Sequence, residues 1–256
     1  MNEKITFALY FGNRGFFPGE LIADARKELA KAVEDAGYDY IMPEESIGRY
    51  GAVETIEEGK RYAAFLEQNR GKYQGVILCL PNFGDENGAM VALENCGVPI
   101  LVEAYRDEAG KMDFEHRRDS LCGKIAMCNV LRQHKLKYTL FQPFTCNPTD
   151  PEFKEHIEKF AAICRVVNGM KRCNIGAIGA RTTAFKTVRF DEIAMQNVGI
   201  NVETIDLAEV FARMEKIEQE RVDAKVIDYL AITDFGKYPM KKLETIARIG
   251  VAIDDL

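Results

Sequence analysis

The chain has 256 residues, 47% of them hydrophobic, a formal net charge of -6 and seven cysteines. That length can bury a substantial core in one large or two small domains, and an acidic chain with dispersed lysines and arginines has no electrostatic footprint for nucleic acid. The apolar run from Ile5 to Tyr10 stops at Gly12, Asn13 and Arg14, too soon for a secretion signal or a membrane span, so a cytoplasmic protein is expected.

Strand and helix alternate along the sequence. Residues 4–11 (KITFALYF) read as an apolar strand. Residues 19–37 read as a helix, with Leu21, Ile22, Ala25, Leu29, Ala32 and Val33 on one face and Gly37 as its stop. A strand over 38–43 and a helix over 53–71 follow, then 73–81 (YQGVILCLP), a nearly unbroken apolar run of the kind a parallel sheet buries on both faces. Residues 88–97 add a helix, 98–105 a strand, 119–135 a helix and 138–144 a strand; beyond the proline-punctuated 145–153 another helix runs to about Gly169. This pattern predicts a Rossmann-like, doubly wound parallel α/β domain over residues 1–170.

The pattern restarts at Cys173. Strand 173–179, helix 189–199, strand 200–206, one long helical stretch over 207–230 and a last helix over 238–256 make the start of a second α/β domain, 171–256. Two strands are too few for an independent sheet, so this domain reads as incomplete.

The cysteines, at 79, 96, 122, 128, 146, 164 and 173, form no C-x-x-C pair, and buried free thiols in a reducing compartment are expected. His116, His134 and His156 belong to no metal-ligand or triad spacing and read as surface residues.

In a doubly wound sheet ligands bind beyond the carboxyl ends of the strands, which singles out three loops. In residues 11–19 (FGNRGFFPG), glycines allow close approach, Arg14 gives a fixed charge and Phe16 and Phe17 give apolar faces; a plain surface turn is the alternative. The G-x-G-x-x-G dinucleotide spacing is missing from it. In residues 80–88 (LPNFGDENG), Asp85 and Glu86 suit the first turn of a helix, while Phe83 lies where an apolar wall for a sugar ring would stand. In residues 179–190, Arg181, Lys186 and Arg189 suit either an anion site or a basic turn.

The run IGAIGARTTAFKTVRFDE, followed by GINVETIDLAEVFAR and LETIARIGVAIDDL, resembles the L-fucose and L-arabinose isomerase superfamily in its fucose-isomerase-like branch, and GNRGFFPG and DSLCGKIAMCNVLRQHKLKY fit the first domain of that family. The resemblance implies an aldose–ketose isomerase of three domains, the last β-rich, which passes a proton between C1 and C2 through a cis-enediol on Mn²⁺ or a similar divalent ion. It implies a homotrimer or homohexamer in which the first domain overhangs a neighbour's active site. Carried over, Arg14 and Phe83 would line that neighbour's sugar site, with Phe16 and Asn82 beside them. The family's metal-binding carboxylates and histidine have no counterparts in this sequence, so no catalytic or metal residue is assigned, the chain reads as the amino-terminal portion of such an enzyme, and this portion alone is expected to be inactive. Arg181, Lys186 and Arg189 carry no role from the family; they would position the second domain or touch ligand. Two other readings stand beside this one: a stand-alone sugar-binding module, and a non-catalytic assembly subunit.

Overall fold

The computed structural model describes residues 4–181 and 183–256. The chain divides into two compact units, residues 1–169 and 170–256.

In the first unit, strands β1 (Thr6–Phe11), β2 (Asp39–Ile41), β3 (Gly75–Leu80), β4 (Ile100–Ala104) and β5 (Tyr138–Thr139) form one parallel sheet in the order β2-β1-β3-β4-β5. Helices α1 (Glu20–Asp35) and α5 (Pro151–Met170) cover one face, and α2 (Ile56–Gln68), α3 (Glu86–Leu93) and α4 (Ser120–Gln133) supply the layer on the other. Alternation decides which side chain goes where. On β1, Phe7, Leu9 and Phe11 join the α1/α5 core, whereas Ala8 and Tyr10 join the α2/α3/α4 core. Every residue of β3 is buried, which is why its sequence is an unbroken apolar run. The unit is a Rossmann-like α/β fold.

The sheet order reverses at β1. The chain moves from β1 to β2 on one side and returns to place β3 on the other, and this switch opens a crevice at the carboxyl ends of β1 and β3.

Two local features fix the rim of that crevice. Helix α2 starts at a capping box, in which the Thr55 side chain accepts from the Glu58 amide and the Glu58 side chain from the Thr55 amide. Helices α2 and α3 touch backbone to backbone, since a Cβ added at Gly59 would sit 2.3 Å from the Gly88 carbonyl oxygen. Only glycine permits that approach.

The second unit contains β6 (Cys173–Ile178) and β7 (Ile200–Ile205), a parallel pair joined through α6 (Glu192–Gln196), then α7 (Leu207–Met214), α8 (Gln219–Ile232) and α9 (Met240–Asp254). Its core is small and helical: Val210, Ile217, Val222, Val226, Leu243, Ala247, Val251 and Ala252. Ile175 and Ile178 of β6 remain exposed, as do Ile193 and Phe211 of the helices.

Some expectations are corrected. The stretch 207–230 is two helices, because Ile217 turns into the core and Glu218 adopts an extended conformation (φ -68, ψ 144) to begin α8. The strand expected over 138–144 pairs only at Tyr138 and Thr139; Leu140 and Phe144 are exposed. Cys122 is an exposed thiol, unlike Cys79, Cys96, Cys128, Cys146 and Cys164, which are buried. His156 is not a surface residue: it is 1% exposed at a core-facing position of α5.

Candidate functional site

The loops leaving β1 and β3 meet at the crevice. Gly12 donates its amide to the Cys79 carbonyl (3.0 Å) and Asn13 to the Val53 carbonyl (3.2 Å), so the chain after β1 stays in register with its neighbours for two more residues. A tight turn then closes from the Phe17 amide to the Arg14 carbonyl (2.8 Å) and turns Phe17 inward and Phe16 outward, 54% exposed.

Asn13 and Asn82 are both wholly buried. The Asn82 amide donates to the Asn13 side-chain oxygen, Asn13 in turn donates to Glu54, and the Asn82 oxygen accepts from the Gly84 amide at 3.3 Å. A buried polar group must find partners, and here they are one another. Glu54 also receives Arg49 (3.0 Å), whose other nitrogen donates to the Gly15 carbonyl (3.2 Å). The result is a rigid seat under the two loops.

A ladder of aromatic rings and guanidiniums stands on that seat. The Arg14 guanidinium lies 4.3 Å from the centre of the Phe83 ring and donates to Glu86 at 3.0 Å; Phe83 stacks on Phe17 at 5.9 Å; Phe17 packs on Phe16 at 4.7 Å and carries Arg117 at 5.2 Å. Arg118 lies 4.8 Å from the Tyr105 ring and donates to the Pro81 carbonyl (2.9 Å). Cation–π contact and an ion pair hold Arg14 in one pose, with its side chain 28% exposed. Asp85 caps α3 by accepting from the Gly88 amide (2.7 Å), one position before the first turn, which Glu86 occupies.

The structure therefore brings Arg14, Phe16 and Phe83 together and puts Asn82 beneath them, with its side chain bound to Asn13 and Gly84. Arg181, Lys186 and Arg189 belong to the second unit, where all three are exposed and make no ion pair among the described residues. Asn13, Glu54, Arg49 and Arg117 were not singled out from the sequence. Asn13 and Asn82 are 69 positions apart, and no local pattern links them.

A separate cleft of about 340 Å³ lies between α1 and the start of α5, lined by residues that include Glu28, Lys31, Asp35, Asp150 and Lys154. None of the candidate residues lines it. Among the described residues no group of three His, Cys, Asp or Glu side chains is placed to hold a metal ion, and no helix is long and apolar enough to cross a membrane.

Residues 8–171 match the model of the fucose/sulfoquinovose isomerase N-terminal domain, well over half of the chain. The chain belongs to the fucose/sulfoquinovose isomerase family. Sulfoquinovose isomerase of Alkalicoccus urumqiensis is 25% identical over 161 residues, which cover 62% of this chain and 35% of that protein. The chain thus spans about a third of that relative's length. A periplasmic solute-binding protein from Actinobacillus succinogenes 130z, solved with bound D-allose, aligns with 89% of this chain and 66% of its own at 12% identity; its TM-score of 0.28 is too low to bear on fold or ligand.

Proposed function

We propose that this chain is the amino-terminal part of a cytoplasmic, metal-dependent aldose–ketose isomerase, and that the Arg14–Phe83 cluster forms one wall of a sugar site completed by a neighbouring copy in a trimer or hexamer. The observation that carries this reading is the meeting of Arg14, Phe83 and Glu86 at the switch point of the sheet, in a chain of the fucose/sulfoquinovose isomerase family. Phe16 offers an exposed apolar face to a sugar ring, Phe83 backs the Arg14 guanidinium, Arg14 offers hydrogen bonds to the sugar oxygens, and Asn82 holds the loop that aims Phe83.

The proposed reaction moves a proton between C1 and C2, and the Mn²⁺ or similar ion would polarise the substrate oxygens. The residues described here gather no donor set for such an ion, so its ligands belong to other parts of the assembly in this proposal. What this chain contributes is binding and orientation. Arg49, Arg117 and Arg118 flank the same loops, but each is paired with a carboxylate, Glu54, Asp119 and Glu108, so their charge does not select an acidic sugar over a neutral one.

Arg14→Ala in the active enzyme is expected to raise the Michaelis constant about tenfold, about 1.4 kcal/mol of lost binding, with kcat little changed. An unchanged constant would remove Arg14 from the site. Turnover of sulfoquinovose beside L-fucose decides the sugar.

A further inference from the structure

A second constellation lies at the carboxyl end of β4, where the reaction proposed above makes no use of it. Glu103, Lys124 and His156 are buried, at 1%, 3% and 1% exposure. The His156 Nδ1 is 2.9 Å from Glu103 Oε1, its Nε2 is 3.0 Å from the Gln142 carbonyl oxygen, and Lys124 Nζ donates to the other Glu103 oxygen at 3.4 Å.

Proton count decides what this arrangement is. The ring lies between a carboxyl oxygen and a carbonyl oxygen. A carbonyl only accepts, so Nε2 must carry a hydrogen, and the contact between Nδ1 and Glu103 needs a second. A lysine ammonium on Glu103 makes its carboxylate the poorer home for that second proton, so the proton belongs on the ring. The cluster holds two protons where an unfolded, neutral histidine holds one.

We propose that Glu103, His156 and the Gln142 carbonyl form a two-proton latch that fastens residues 140–147 along the edge of β4 and releases them as the pH rises. The position supports this. Strand β5 ends at Thr139, opposite Leu101, and from Val102 onward the edge of β4 is closed by the 140–147 segment, through the Cys146 amide to the Ala104 carbonyl (2.9 Å) and through Gln142 to His156. The same segment holds the next loop: Asn147 accepts from the Arg106 amide (3.0 Å) and the Thr145 carbonyl accepts from Arg106 Nε (3.4 Å). Arg106 opens the stretch that brings Arg117 onto Phe17, so the latch reaches the aromatic ladder through covalent neighbours.

The surroundings of the ring favour this charge state on balance. The hydrogen bond that the ring donates to Glu103 raises the His156 pKa against the opposing effects of burial and of the Lys124 charge, and the Gln142 carbonyl adds to the rise. The Phe141 ring packs on His156 at 5.2 Å. The Cys146 thiol is pushed up to about 12 by burial and then by Glu103, and Cys79 is raised for the same reasons, so neither thiol brings a negative charge. When the ring loses its proton, one nitrogen lone pair faces an acceptor and one of the two bonds breaks.

Nitrogen-15 labelling of histidine in the 256-residue chain reads the ring directly, with the exposed His134 as an internal reference. At about pH 7.5, a unit above the ordinary histidine value, both His156 nitrogens are expected to be protonated. Amide exchange, corrected for its intrinsic pH dependence, is expected to lose protection at Cys146 by up to about tenfold per pH unit above the pKa of the ring, while Val102 stays constant. In His156→Gln that pH dependence should vanish. A His156 ring with a single N–H at that pH overturns the proposal, as does Cys146 protection that tracks Val102 throughout. If His156→Gln does not fold, the labelled wild-type chain decides alone. Neither measurement involves a sugar, so the latch and the proposed isomerase can fail separately.

Discussion

The two units are written in the same alternation of strands and helices but reach different states. In the first, five parallel strands lie between two helical layers, and β3 and β4 are buried along their whole length. In the second, β6 and β7 make a two-stranded sheet in which no residue is fully buried, and the apolar contacts lie instead among α7, α8 and α9. A strand's apolar residues are thus a demand for cover, and the fold that meets the demand depends on how many layers the same stretch of chain supplies.

Substitutions test this contrast, beginning with the largest. Phe160→Ala removes a wholly buried ring stacked 5.4 Å from Phe7 and should lower unfolding free energy by about 3–5 kcal/mol. Phe211→Ala, at a ring 54% exposed, should change it by less than about 0.5 kcal/mol. Equal losses in urea unfolding would mean that the second unit's exposed apolar face is covered in solution.

Glycines at helix contacts sharpen the comparison. In the first unit Gly59→Ala would drive a methyl group into the Gly88 carbonyl, a backbone atom that can move only if α2 and α3 separate, at about 1–3 kcal/mol. In the second, Gly250→Ala meets the Tyr229 hydroxyl at 2.2 Å, the far end of a half-buried side chain rather than backbone. Its cost should be offset by the better helix propensity of alanine, leaving thermal stability nearly unchanged.

The smallest effect concerns charge. Arg221 grips Asp255 with both nitrogens (2.7 and 2.9 Å), and Lys225 holds Asp254 at 2.6 Å, all on the surface. Asp255→Asn should shift the midpoint slightly at low salt and not at all at high salt. A shift that survives high salt would show that the end of α9 is held by more than screened ion pairs.

The first sheet was legible in the sequence for a physical reason. Residues 75–80 are apolar on both faces because both faces are covered, and the alternation of strand and helix forces a parallel sheet. The break between α7 and α8 was not, because no glycine or proline marks it and Ile217 fits a helical stripe until the core draws it in. His156 carried a signal that was passed over: with Phe153, Ile157, Phe160, Ala161 and Cys164 it completes the buried stripe of α5, and a histidine there needs buried partners. At the candidate site, Arg14 and Phe83 were visible as loop residues after strands. Their common seat was not, since Asn13, Glu54 and Asn82 come from three separate connections.

The contact between Gly59 and Gly88 also has a mechanical side. Side-chain interfaces yield by changing rotamers, but two backbones in direct contact have no such slack. Gly88 also lies close to the Thr55 carbonyl, 2.7 Å from an added Cβ, so the first turns of α2 and α3 are joined at their starting ends. Glu54 and Phe83, on the approaches to those turns, therefore share one rigid mount, and a push on Phe83 is resisted by both helices at once.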